Sequence, residues 1–179
     1  MKRSHLARDI VEIIAIALVV FVAIHFTVQN YQVSDTSMEN TLHNGQIVLV
    51  NKIAYVFHNP ARGDIIVFLD PTDPVHDLLR RVIGLPGDTI TLDGTAVSVD
   101  GVQLNEPYIT QKFNPVAESV TVPAGEYFAV ADNRPTIHDS RTFGFVPRAS
   151  IVGRAIVVYW PLNQWQILNT YPSVYAQIK

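Results

Sequence analysis

Apolar positions along this chain change their spacing once. From Ile10 to Val28, "IVEIIAIALVVFVAIHFTV", they run almost unbroken for 19 residues, interrupted only by Glu12, His25 and Thr27. From Gln46 onward they come in short β-branched runs that end in turn residues. The first pattern predicts a membrane-spanning helix, since a bilayer core needs about 20 apolar residues. The second predicts strands, at "QIVLV" (46–50), "DIIVFL" (64–69), "RRVIGL" (80–85), "DTITL" (88–92), "EYFAVAD" (126–132) and "IVGRAIVVYW" (151–160). Asp-Gly pairs at 93–94 and 100–101 are hairpin signals and predict a β-meander. The prolines fall mostly between the runs, where they interrupt no ladder. Residues 29–36 are polar without a strong period, and no long helix is expected after residue 40.

Two rival readings of the apolar run are weaker. A cleavable signal peptide has a shorter apolar region, about 7–15 residues, closing on an A-x-A-like site; here the exit reads "HFTVQNYQVSD". A buried helix of a soluble domain is the plainer third reading, and it is disfavoured because this segment is apolar on all faces. Lys2, Arg3 and Arg8 precede the run and the next basic residue is Lys52, so the positive-inside rule keeps the N-terminus cytoplasmic. The expected organisation is a cytoplasmic N-terminus (1–9), a transmembrane anchor (10–28) and a mainly β extracytoplasmic domain (29–179) of ordinary domain size.

Composition narrows the chemistry. The formal net charge is -3, which argues against a nucleic-acid partner. The chain has no cysteine, which excludes disulfides, thiolate zinc and a cysteine nucleophile.

Four polar segments punctuate the strands: "SDTSMENTL" (34–42), "RGDIIVF" (62–68), "RRVIGLPGDTI" (80–90) and "ADNRPTIHDSRTFGFVP" (131–147). Each alone has a bland reading. Ser37 and Asn40 could satisfy backbone donors at the start of a turn, and the last segment could be a solvated loop laced with ion pairs. In this order, together with "EPY" at 106–108, they resemble the bacterial type I signal peptidases, from the anchor to about residue 160. The resemblance implies a signal-peptidase-like β domain on one transmembrane helix, in the bacterial cytoplasmic membrane, that cuts signal peptides from exported preproteins. It implies neither metal nor cofactor.

In that family a lysine deprotonates the serine nucleophile, because a serine hydroxyl attacks poorly until a neighbour takes its proton, and burial can make the lysine amine neutral. Ser37 matches the nucleophile. Arg81 matches an arginine paired with Asp132, and Asp139 and Arg141 match a second structural ion pair. The base position is Arg80, and "RVIGLPGD" leaves no room for a slip: no lysine lies between Lys52 and Lys112. A guanidinium, with a pKa above about 12, accepts no proton. A charged fork there would also seek a carboxylate, for which Asp35 is the candidate. Further departures point the same way. Ile137 stands where a serine orients the lysine, Ala131 where a glycine precedes "DN", and Asn40 where "SMxPTL" has proline. Asp35 stands where Ser or Gly lines the oxyanion hole, and a carboxylate there opposes a developing oxyanion. His76, His138 and Lys52 are the substitute bases that proximity in sequence allows, each with an exposed surface role as the plainer reading. The sequence thus predicts weak or absent cleavage. The alternative is a non-catalytic paralogue that binds exported chains or assists their assembly. A self-cleaving Ser/Lys repressor would share the β fold, but the anchor and the lack of a DNA-binding helical domain count against it.

Overall fold

The computed structural model describes residues 2–73, 75–93, 96–111 and 118–178. Helix α1 runs Lys2–Thr27. Its stretch Arg8–Thr27 is long and apolar enough to cross a membrane, and none of that stretch is buried against the rest of the chain. The stretch does not pack as a core helix within this chain. The helix begins and ends earlier than the expected span: Val28 already opens strand β1, Val28–Gln32. This strand was not anticipated. Its sequence, VQNYQ, is polar because it is an edge strand, held by its antiparallel ladder to β2 (Ile47–Asn51).

The remaining strands are β3 (Ile65–Leu69), β4 (Asp77–Gly84), β5 (Thr89–Asp93), β6 (Ala96–Val99), β7 (Val102–Gln103), β8 (Glu118–Thr121), β9 (Glu126–Val130), β10 (Val146–Pro147), β11 (Ile151–Trp160) and β12 (Gln166–Ile167). One short helix, α2 (Ser140–Phe143), follows β9. Two sheets result. The larger has the order β1-β2-β11-β3-β4-β9-β10, with β12 on β11; the smaller is β7-β6-β5-β8. The class is mainly β, as the strand pattern predicts. At the second Asp-Gly pair, Asp100 (φ 51) and Gly101 (φ 79) both take the positive φ that a tight hairpin turn requires, and β6 pairs with β7 across it. Gly94 of the first pair lies outside the described residues.

Alternation fills the core. Every second residue of β2 is buried, Val48 and Val50, and they meet Met38, Leu42, Ile65, Val67 and Leu79 in one cluster. On the other face of the same strands Ile66, Phe68, Leu78 and Val82 join Tyr127 and Val146. A third cluster, around Ile83, Ile90, Val99 and Phe128, joins the small sheet to the large one. Continuous burial along β3 and β4 reflects their central place.

Candidate active site

Side chains alternate along a strand, so β4 sends its two arginines to opposite faces. Both are buried. A guanidinium has five N–H donors to satisfy, and leaving them unpaired in the interior is costly. Arg81 donates from Nε and Nη2 to the two oxygens of Asp132 at 2.8 and 2.7 Å. Its Nη1 donates to the Gly63 and Asn169 carbonyls, both at 2.9 Å. Its guanidinium carbon lies 4.2 Å from the centre of the Tyr108 ring. Burial lowers the affinity of Arg81 for its proton, but the Asp132 carboxylate more than offsets this and raises it above the ordinary arginine value.

Arg80 turns to the other face. Its Nε and Nη2 donate to the His138 carbonyl at 3.0 and 2.7 Å. Its Nη1 donates to the Leu79 carbonyl at 2.7 Å and to Ser37 Oγ at 2.6 Å. Burial draws its pKa down from the ordinary value, opposed by the Asp35 and Asp139 carboxylates.

Ser37 is placed by its neighbours in sequence. Met38 and Leu42 are buried in the first core cluster, and the turn closes with Leu42 N donating to the Met38 carbonyl at 2.7 Å. From across the fold, Asn133 N donates to the Ser37 carbonyl at 2.8 Å and Asn133 Nδ2 to the Thr36 carbonyl at 2.9 Å. Ser37 is only 1% exposed. Its hydroxyl donates to Asp35 Oδ1 at 2.7 Å, and its backbone N–H donates to the same oxygen at 3.1 Å. The hydroxyl therefore serves no cap. It lies between a carboxylate that accepts from it and a guanidinium that donates to it. Asp35 Oδ2 is 3.6 Å from Arg80 Nη1, with the Asp35 side chain 48% exposed. Three residues on, Asn40 has φ 99, and its Oδ1 accepts from Thr110 Oγ1 at 2.7 Å.

The loop after β9 is held by its own polar groups. Asp139 caps α2 by accepting from Arg141 N, accepts from Ala131 N at 2.9 Å, and pairs with Arg141 Nε at 2.8 Å. Ile137 is 53% exposed. Arg80 is anchored by the carbonyl of the neighbouring His138. The substitute bases lie elsewhere. The His138 ring is 2.6 Å from Asp70 Oδ2, the exposed His76 ring is 2.7 Å from Asp73 Oδ2, and Lys52 is exposed after β2. None of the three contacts Ser37 through a described hydrogen bond.

Several contacts carry no signal in the sequence. The His138 carbonyl carries no side-chain signal. Arg134 Nη1 donates to Glu106 Oε2 at 2.9 Å, which gives "EPY" a structural role, and Arg62 grips both oxygens of Asp88, at 2.9 and 2.7 Å.

This mainly β chain, with a serine and a cation in contact and an apolar N-terminal helix, matches the family model of signal peptidase, peptidase S26, over residues 6–160. The chain belongs to that family. It is 37% identical over 156 residues to signal peptidase I of Leptolyngbya laminosa, covering 83% of this chain and 76% of that protein. With signal peptidase I of Bacillus caldolyticus it shares 38% over 154 residues, 78% of this chain and 84% of that one. A crystal structure of a signal peptidase I from Enterococcus faecalis V583 aligns with 54% of this chain and 96% of its own, at 35% identity and a TM-score of 0.48.

Proposed function

We propose that this protein is a signal peptidase family member anchored by α1, N-terminus cytoplasmic and β domain on the outer face, that docks exported preproteins or their signal peptides and cleaves them weakly or not at all. The observation that carries the reading is the 2.6 Å hydrogen bond from Arg80 Nη1 to Ser37 Oγ. Residue 80 stands where a base should accept, and it donates. Burial lowers its pKa, but a guanidinium starts above about 12, and Asp35 and Asp139 favour the charged form.

Docking has a structural basis. The β4–β9 ladder begins at Arg81, so residues 77–80 pair with β3 on one side, and no described strand pairs with them on the other. An extended segment can add there as a strand, beside Ser37. The helix, with Lys2, Arg3 and Arg8 at its start, supports the orientation through the positive-inside rule. The burial of Ser37 favours the second form of this reading, a paralogue that binds exported chains and assists their assembly without cutting them.

Cleavage of a purified preprotein by wild type, Ser37→Ala and the double variant Arg80→Lys/Ile137→Ser tests the proposal. A general base contributes about 10²–10⁴ in rate, so the double variant is expected to outpace wild type by that order. Brisk wild-type turnover, lost in Ser37→Ala, would overturn it.

A further inference from the structure

We propose that Asp35 is the proton acceptor for Ser37, so that slow cleavage in this protein runs through a carboxylate instead of an amine. The inference deepens the functional reading above and rests on it. Four observations carry it. Asp35 Oδ1 accepts from Ser37 Oγ at 2.7 Å, within the reach a general base requires. The hydroxyl is already oriented, because Arg80 Nη1 donates to the same oxygen at 2.6 Å and therefore directs the Oγ proton away from itself. Arg80 is in turn fixed by the His138 and Leu79 carbonyls. No histidine and no lysine contacts Ser37 through a described hydrogen bond.

The chemistry closes on itself. The Ser37 proton passes to Asp35 Oδ1 as Oγ bonds to the scissile carbonyl carbon, and Arg80 stabilises the charge that develops on Oγ. When the C–N bond breaks, Asp35 returns the proton to the leaving amine and Ser37 is left as an ester. Water then gives a proton to Asp35 while its oxygen bonds to the ester carbon. The Oγ–C bond breaks, the proton goes back to Oγ, and the net change is hydrolysis of one peptide bond.

Protonation also resolves a conflict in the site. Asp35 Oδ1 accepts from Ser37 N, the donor that an oxyanion would need. As a carboxylate, Asp35 occupies that donor and repels a developing oxyanion. Once it holds the Ser37 proton it is neutral, releases the N–H and becomes a donor itself. The two departures from the family, at 35 and at 80, thus compensate: a fixed cation keeps the carboxylate close, and the carboxylate does what the cation cannot.

The test is a double-mutant cycle on the full-length protein in detergent, reading single-turnover cleavage of a preprotein with the cut site sequenced. Asp35→Asn is made in wild type and in the Arg80→Lys/Ile137→Ser background, with Ser37→Ala as the blank and thermal melting to confirm folding. The expected result is a loss confined to the wild-type background. Asp35→Asn reduces the slow wild-type rate at least tenfold, to the Ser37→Ala level, and leaves unchanged or raises the rate where lysine is present. Loss in both backgrounds would mark Asp35 as structural, and no loss in wild type would mark it as an obstruction; either overturns the inference. Wild type indistinguishable from Ser37→Ala also overturns it, and leaves standing the reading of a binding paralogue.

Discussion

Arg80 and Arg81 are adjacent, both buried, and chemically identical, yet their surroundings ask different things of them. Arg81 meets a carboxylate with no exposure on either side chain and makes a two-pronged, charge-assisted pair of the strong kind. Removing one partner of such a pair leaves a buried charge uncompensated, at a cost of about 3–5 kcal/mol. Asp132→Asn is therefore expected to lower the melting temperature by roughly 6–20 °C, since 1 kcal/mol is worth about 2–4 °C in a chain of this size; thermal unfolding followed by circular dichroism measures it. Arg80 instead spends its donors on two carbonyls and a hydroxyl, with Asp35 half-exposed beyond. This contrast was partly legible in the sequence. The register of "RVIGLPGD" marked residue 80, and the need of a buried cation for an anion marked Asp35. The His138 carbonyl was not legible, because every residue carries a carbonyl and only the folded loop decides which one faces the site.

Among the elements, the turn that leads into β3 constrains the fold tightly. Gly63 has φ +88, and a Cβ there would lie 1.9 Å from the Thr170 carbonyl oxygen and 2.9 Å from the Tyr175 ring. The C-terminal segment lies directly against this turn, and the Gly63 carbonyl itself accepts from Arg81. Gly87 has a similar φ, +94, with open space around it. Alanine at Gly87 is expected to cost only the left-handed backbone penalty, about 1–2 kcal/mol. Alanine at Gly63 adds a backbone collision and is expected to cost at least about 2 kcal/mol more, in the range of the severe single substitutions. Urea unfolding of the two variants side by side gives the comparison. The sequence marks strands well where both faces are buried or alternate cleanly: β11 lies at 151–160 as expected. It misses β1, β8, β10 and β12, which are short or polar because they lie at or near sheet edges and are held by backbone ladders instead of side-chain packing.

At the scale of the whole molecule, several buried or half-buried tyrosines hold their protons more tightly than a free phenol. Tyr31 is pushed up to about 12, first by burial and then by Asp35, with Arg80 opposing. Tyr55, Tyr108 and Tyr175 are also raised, each chiefly by burial. A raised phenol pKa means that the folded state holds the proton more tightly than the unfolded chain, whose value is about 10. The stability this contributes is complete below that value and is lost as pH climbs through the folded one. The urea midpoint is expected to fall steadily from about pH 10 to 12, and Tyr31→Phe should remove part of the slope. The ion pairs Arg134–Glu106 and Arg62–Asp88 belong to this scale as well. Their partners are 28 and 26 residues apart, so the topology has to be known before either can be read.

The backbone at Asn40 carries a consequence for what position 40 accepts. Proline fixes φ near -65°, while the backbone at Asn40 is at φ 99. A proline at this position does not fit the loop that holds Ser37. Asn40→Pro would force the main chain out of this conformation and is expected to lower the melting temperature, which thermal unfolding measures.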